Sequence, residues 1–397
     1  MSFDVRVVRA DFPALSERIH DRPLIYLDNA ATAQMPRAVA ETVTALELAR
    51  GNVHRGIHTL SEYCTAAYED ARKTAADFLC AHPEQIICTS GTTDGINRVA
   101  TIFERTERSG VAVTLLEHHS NFVPWQQMCL RTGRPFHVIP LDASGQVDMD
   151  LADKLLNSSI GLLAISHCSN VLGTVTPVEK LCQLAHSRGI RVLVDGAQSI
   201  CHRTIDVAQL GCDWFVCSGH KLGAPFGVGL LYSKEPMPPV FFGGGMVEQV
   251  TISGTTFANT PLSGEAGTPN VSGAVGLAAA IRYRQTLPKG WQQHEAALLR
   301  YAEKKLSSLD GVHLLGSSLR EGCLSFAIDG VQPFDAATFL DQLGIALRSG
   351  HHCAQPLLNS LGLDYALRIS PAFYNTFEEI DSLTDALSRI IPMLRRR

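Results

Sequence analysis

Val192-Leu193-Val194-Asp195-Gly196-Ala197-Gln198 is the stretch on which the reading of this chain turns. Three consecutive apolar residues, two of them β-branched, predict a strand covered on both faces, the pattern of a parallel sheet rather than a half-exposed one. The strand ends on a carboxylate, and an amide follows three residues later. In open sheets flanked by helices, ligands bind at the carboxyl ends of strands. Asp195 and Gln198 therefore stand where a ligand would be held, although an Asp at this point also suits the cap of a following helix.

The same pattern extends on both sides. Short apolar runs predict strands at Gln85–Cys88, Val111–Leu115, Pro135–Ile139, Leu162–Ser166, Trp214–Cys217 and Val228–Tyr232. Between them, helical periodicity covers Gly95–Phe103, Val123–Thr132, Met149–Leu156 and Val178–Ser187. Such alternation predicts an α/β fold with a mainly parallel sheet. The C-terminal part reads as a smaller α/β unit. Its strands are Cys323–Ile328, Ile345–Arg348 and Leu367–Ser370, and its helices are Phe334–Leu343 and the long amphipathic Phe377–Leu394. The first ~20 residues are expected to pack against it.

Composition narrows the function classes. The 397 residues are 45% apolar and 18% charged, and 34 basic against 39 acidic side chains leave a formal charge of −5. So mild a charge argues against binding nucleic acid or an anionic membrane surface. Arg395, Arg396 and Arg397 read as a solvated basic tail. No apolar run approaches the ~20 residues of a membrane span. Asp4, Arg6, Arg9 and Asp11 interrupt the N-terminus where a secretion signal would be apolar, so a cytoplasmic protein is expected. The eleven cysteines include no C-x-x-C pair, which disfavours zinc ribbons and thioredoxin-type chemistry.

Chemistry-bearing residues gather just after the predicted strands. Ser218-Gly219-His220-Lys221 follows Trp214–Cys217, and a lysine there can form a Schiff base with an aldehyde. With Asp195 one strand away, the two could grip both ends of one aromatic cofactor, the carboxylate keeping a pyridine nitrogen protonated. Ser90-Gly91-Thr92-Thr93-Asp94-Gly95 opens a helix, and its free N–H groups and hydroxyls suit a phosphate, or serve as a plain cap. Glu117-His118-His119-Ser120-Asn121 puts an imidazole where it could stack on a ring. Arg348-Ser349-Gly350-His351-His352-Cys353 places a thiol behind two imidazoles in a loop that Gly350 and Pro356 mark as mobile. A metal site here would need further ligands whose spacing is absent, so no metal is expected. Arg368, on the last short strand, can hold a carboxylate through paired hydrogen bonds.

Together these stretches resemble the class V, fold-type-I pyridoxal-phosphate (PLP) enzymes, and more closely the SufS/CsdA-type (group II) cysteine desulfurases. The matching segments run in order from Y-L-D-N-A-A-T at Tyr26 through N-V-H-R-G-I-H at Asn52, G-T-T-D-G-I-N at Gly91, E-H-H-S-N at Glu117, S-N-V-L-G-T at Ser169, V-D-G-A-Q at Val194, S-G-H-K at Ser218 and E-A-G-T-P-N at Glu265 to R-S-G-H-H-C-A-Q-P at Arg348. The resemblance implies a large PLP-binding domain over 21–285 with a seven-stranded sheet. A small domain from 1–20 and 286–397 would carry the Cys353 loop and Arg368.

The resemblance also implies roles. Lys221 would hold PLP and move the Cα proton, Asp195 would pair with the ring nitrogen, Gln198 with the phenolic oxygen, and His118 would stack on the ring. Thr92, Thr93, Ser218 and His220 would hold the phosphate. Thr268 would reach the phosphate of a neighbouring subunit, implying a homodimer. Arg368, Asn170, His54 and Arg348 would bind the substrate L-cysteine. Cys353 would accept sulfur as a persulfide and pass it to an acceptor protein, the chemistry of sulfur mobilisation for iron–sulfur cluster assembly. The sequence departs from the family pattern at Leu222-Gly223-Ala224-Pro225-Phe226-Gly227, at Leu262-Ser263-Gly264 and at Asp94. Competing readings are a selenocysteine lyase, an aminotransferase-, epimerase- or kynureninase-like relative with no use for Cys353, and a non-catalytic sulfur-relay or metal-binding protein built around His351, His352 and Cys353.

Overall fold

The computed structural model describes residues 3–317 and 319–395. Seven strands form the central sheet: β1 Ile86–Thr89, β2 Gly110–Thr114, β3 Phe136–Ile139, β4 Ile160–Ser166, β5 Arg191–Asp195, β6 Trp214–Ser218 and β7 Gly229–Ser233. Their order is β1-β7-β6-β5-β4-β2-β3. β7 runs antiparallel to both neighbours and the remaining pairs are parallel. Each strand lies within a residue or two of its predicted position. β4, β5 and β6 are buried nearly throughout, which explains why their sequences do not alternate.

The helix predicted from Gly95 begins earlier and spans Thr92–Thr106, so its first turn is built from the small residues after β1. Gly91 supplies the bend with φ +150°. On the adjoining strand, a Cβ at Gly229 would lie 2.6 Å from Gly91 Cα and run into the Cys217 carbonyl oxygen. Close approach of these backbones sets the helix N-terminus against the end of β6.

A buried ion pair fastens β1 from outside. Arg72, on the helix Thr59–Phe78, meets Glu265 at 2.7 Å, and both side chains are almost wholly buried. Glu265 also accepts from Tyr68 Oη (2.8 Å) and the Cys88 N–H (2.7 Å), and Arg72 donates to the Ile86 carbonyl (2.8 Å). Glu265 is thus a structural member of its motif. Glu265→Ala would leave the buried guanidinium with only the partly exposed Glu69 (3.0 Å) as counter-charge, with an expected loss of about 3 kcal/mol, measurable by denaturant unfolding.

The smaller unit has a four-stranded antiparallel sheet in the order Val312–Leu314, Leu324–Ile328, Ala366–Ile369, Arg348–Gly350. Leu298, Leu324, Phe326, Leu367, Ile380 and Leu387 form its core with the helices Trp291–Ser307 and Phe377–Leu394. Two expectations are corrected here. The stretch Ile345–Arg348 is not one strand: Ile345–Ala346 pairs in parallel with Ile25–Tyr26, whereas Arg348–Gly350 joins the four-stranded sheet. By the same pairing, residues 22–28, assigned to the larger unit from sequence, belong with the smaller one, and Leu27 lies in its core. The partners lie far apart in sequence, beyond the reach of local periodicity.

The N-terminal segment contacts residues of the C-terminal part. Arg9 pairs with Glu379 at 2.8 Å and donates to the Tyr374 carbonyl (3.0 Å), while Phe12 packs on Phe373 and Tyr374. Arg395 is paired with Asp310 (2.6 Å) instead of trailing into solvent, and Arg396 and Arg397 lie outside the described residues. Among the described residues no helix is long and apolar enough to cross a membrane.

Candidate active site

A cavity of about 570 Å³ opens at the carboxyl ends of the strands, where the smaller unit covers the sheet. Thr92, Thr93, Ser218 and His220 line it, with His118, Asp195, Gln198 and Lys221, and so do Asn170, Arg348, Arg368 and Cys353. Residues spread over more than 260 positions of sequence thus face one space.

The helix N-terminus at Thr92 builds a hydroxyl-rich cradle. The Thr92 N–H donates to Ser218 Oγ at 2.8 Å, and Thr92 Oγ1 lies 2.8 Å from the same oxygen. Thr93 Oγ1 meets Ser120 Oγ at 2.7 Å, and His220 Nδ1 meets Thr32 Oγ1 at 3.2 Å. Burial, then the nearby Lys221 charge, lowers His220 to about 4, so its ring is neutral. Backbone donors, hydroxyls and a helix dipole in one place suit a phosphate.

Asp195 ends β5, and its backbone pairs in register with Val216 of β6. Its Oδ1 accepts from the Ala197 N–H at 2.9 Å, and among the described residues no hydrogen bond engages Oδ2. Burial raises its proton affinity, against the pull of the Ala197 N–H and Lys221. Lys221 shows the mirror effect: burial lowers its affinity for a proton and Asp195 opposes this. A buried carboxylate with one oxygen free, facing an amine eased toward neutrality, fits a protonated pyridine ring bound covalently through its aldehyde. Gln198 Nε2 donates to the Ala30 carbonyl at 2.9 Å. His118 is lowered to about 3 by burial first, then by Lys221, His119 and Arg368. Its Nδ1 accepts from the Ser120 N–H at 3.0 Å, which fixes the ring in its neutral form.

Asp28 is the residue that sequence reading passed over. It was quoted within a motif but given no role. Its Oδ1 receives Arg368 Nη2 and its Oδ2 receives Arg348 Nη1, each at 3.0 Å. Arg368 Nη1 also donates to the Asn170 carbonyl at 2.8 Å. One carboxylate thereby orients both cavity arginines. The signal was present: Asp28 ends the apolar run Leu24–Leu27, much as Asp195 ends its strand.

The Cys353 loop, predicted to be mobile, is pinned at three points. The Cys353 carbonyl accepts from the His119 N–H (2.7 Å), the Gln355 N–H donates to His119 Nε2 (3.1 Å), and Asn170 Nδ2 donates to the His352 carbonyl (2.7 Å). His352 and Cys353 both adopt φ +53°, a left-handed turn that presents the exposed thiol at the cavity rim. The buried His352 bonds through Nε2 to the Ala366 carbonyl (3.0 Å), and His351 packs on Tyr365. The first contact is a hydrogen bond and the second a ring contact, and both imidazoles line the cavity.

Two expected site residues lie elsewhere in the same chain. His54 bonds to Glu69 at 2.8 Å and lines, with Thr268, a separate cavity of about 190 Å³. Neither lines the Lys221 cavity. Of the departures, Asp94 pairs with Arg98 (2.8 Å), and Leu262–Gly264 forms a short turn in which a Cβ at Gly264 would crowd Ile87 at 3.0 Å. Phe226 is exposed, with its ring 5.6 Å from that of His220.

The aminotransferase class-V family profile matches residues 25–383. A cysteine desulfurase from Enterobacter sp. (strain 638) is 44% identical, covering 99% of this chain and all of the relative. One from Synechococcus elongatus is 42% identical over 98% of this chain, which spans 64% of that longer protein. Among solved structures, the cysteine desulfurase CsdA of Escherichia coli superposes with a TM-score of 0.92 at 38% identity, covering 99% of this chain and 100% of its own. The chain belongs to the aminotransferase class-V family and, within it, to the cysteine desulfurases.

Proposed function

We propose that Lys221 and Cys353 divide the desulfurase reaction between them, L-cysteine giving L-alanine while its sulfur passes to Cys353. The observation that carries this reading is that the amine, Asp195 and the thiol line one cavity. PLP, the cofactor of the family, acts when bound as an electron sink for charge developing at the substrate Cα. Thr92, Thr93, Ser218 and His220 would hold its phosphate, Asp195 would keep the proton on its ring nitrogen, and His118 would cover one face.

The protein's own work follows from the geometry. Arg368, with Arg348 and Asn170 beside it, binds the substrate carboxylate. Lys221 Nζ, already lowered by burial, takes the Cα proton and later returns one. Cys353 Sγ attacks the substrate sulfur as a thiolate. A sulfur–sulfur bond forms, the substrate carbon–sulfur bond breaks with its electron pair left on Cβ, Cβ takes a proton to become the methyl group of alanine, and the persulfide remains on the enzyme. Its exposed position lets a thiol of an acceptor protein collect the sulfur, as supply to iron–sulfur cluster assembly requires. We place this work in the cytoplasm and in a homodimer. Supporting the dimer, the His54–Thr268 cavity lies apart from Lys221, and Ile57, Phe242 and Ile252 leave apolar surface exposed.

The deciding experiment incubates the purified protein with L-cysteine and assays alanine, with mass spectrometry of the Cys353 peptide. Alanine together with one added sulfur on Cys353 is expected, and alanine without it would overturn the assignment of the acceptor. A parallel arm with L-selenocysteine ranks the two substrates. Arg368→Lys keeps the charge but loses the planar fork. Losing a charge-assisted hydrogen bond costs about 1.5–3 kcal/mol, so KM for L-cysteine should rise about 10- to 100-fold with a smaller change in kcat, read from steady-state kinetics.

A further inference from the structure

Glu117 ends the segment after β2 and is 1% exposed, beneath the cavity floor. Its carboxyl collects four hydrogen bonds from three places. Oε1 accepts from Thr114 Oγ1 (2.5 Å) and the Ser166 N–H (3.0 Å); Oε2 accepts from Asn121 Nδ2 (2.6 Å) and Ser166 Oγ (2.6 Å). The Asn121 amide cannot turn over freely, because its Oδ1 already accepts from Trp125 Nε1 (3.0 Å). Each carboxyl oxygen therefore faces one obligate N–H donor and one hydroxyl. Hydroxyls both donate and accept. A proton on Oε2 can be directed at Ser166 Oγ, so the carboxyl keeps its four partners in both protonation states while the hydroxyl gives up its own acceptor.

Ser166 connects this network to the site. It ends β4, lies in register beside Asp195 of β5, and lines the Lys221 cavity. With Glu117 ionised, the Ser166 hydroxyl proton is turned down toward Oε2. With Glu117 protonated, Ser166 Oγ accepts from Oε2, and its own proton is free to point into the cavity.

We propose that Glu117 and Ser166 form a buried proton store for the reaction, with Ser166 as its outlet beside Asp195. Delivery moves one proton and no electrons: Ser166 Oγ releases its proton to a basic atom in the cavity and takes the one held by Glu117 Oε2. Burial raises Glu117 to about 7 against the pull of its four donors, which allows both states near neutral pH. The other ionisable groups around it are otherwise engaged. His118 and His119, on its own segment, are lowered by burial. On the helix Val123–Thr132, Cys129 donates to the Pro135 carbonyl and Arg131 pairs with Glu104. His167, beyond β4, is lowered to about 4 by burial, and neither Asp195 nor Lys221 hydrogen-bonds to Glu117.

The purpose of the store rests on the desulfurase reading, but its existence is tested without turnover. Infrared difference spectra of the PLP-loaded protein across the neutral range should show a protonated carboxyl disappearing with a midpoint near 7. The band should be missing in Glu117→Gln. In the milder Ser166→Ala it should move to higher pH, because the ionised carboxylate loses a donor. In steady-state kinetics, Ser166→Ala removes the outlet, so kcat should fall and lose the pH limb set by Glu117, with a smaller change in KM for L-cysteine. A carboxyl signal absent from the wild type or unmoved in Ser166→Ala, or a kcat limb that stays in place, would overturn the proposal. If alanine is never formed, the infrared titration still decides the proton store by itself.

Discussion

Lys221→Ala lowers the rate of alanine formation from L-cysteine by about 10⁴-fold, the upper range for a positioned acid–base, because the same amine also holds the cofactor. The variant should lose the absorption of covalently held PLP while far-ultraviolet circular dichroism stays unchanged. Lys221 lies in a short turn after β6, and its side chain faces the cavity rather than the packed core. Stability should therefore change little on truncation, and the loss is chemical. The neighbours sharpen the expectation. Asp195 loses an opposing charge, so its carboxyl should become still harder to ionise in the unloaded protein. Retained turnover at more than a tenth of the wild-type rate would remove Lys221 from the mechanism.

Cys353→Ser produces the second large effect, a loss of about 100-fold or more in turnover of L-cysteine, equivalent to about 2.7 kcal/mol of barrier. A serine hydroxyl is not a useful nucleophile toward sulfur at neutral pH, whereas a thiolate is. Cys353 is exposed, and a serine can adopt the same left-handed turn, so thermal stability should move by no more than about 0.5 kcal/mol. Binding of PLP should persist, since the cradle around Thr92 and Ser218 is untouched. The variant also separates the desulfurase from an aminotransferase of the same fold, in which this thiol has no task. Normal alanine production by Cys353→Ser would leave the fold in place and remove the persulfide step.

Much of the site was legible because each residue closes a strand. Asp195 and Lys221 follow apolar runs too uniform for anything but a covered strand, and in such a sheet strand ends converge on one side. The phosphate cradle could be read from Gly91, Thr92 and Thr93, because a helix start carries free donors whatever surrounds it. Glu117 and Asp28 were quoted in motifs without roles. What they do depends on Asn121, Ser166, Arg348 and Arg368, and those pairings exist only once distant strands are assembled.

The sequence by itself determined the strand and helix identities, the α/β class, and the residue types able to carry the chemistry, because these follow from local periodicity and side-chain chemistry. Only the tertiary structure decided that residues 22–28 pair with the C-terminal unit, that Ile345–Arg348 splits between two sheets, that the thiol loop is tied to His119, and that His54 lies away from Lys221 in the same chain. The first and third of those outcomes depend on hydrogen bonds between backbones hundreds of residues apart. Such bonds are available to many segments alike, and which of them form is chosen by the packing of the whole molecule.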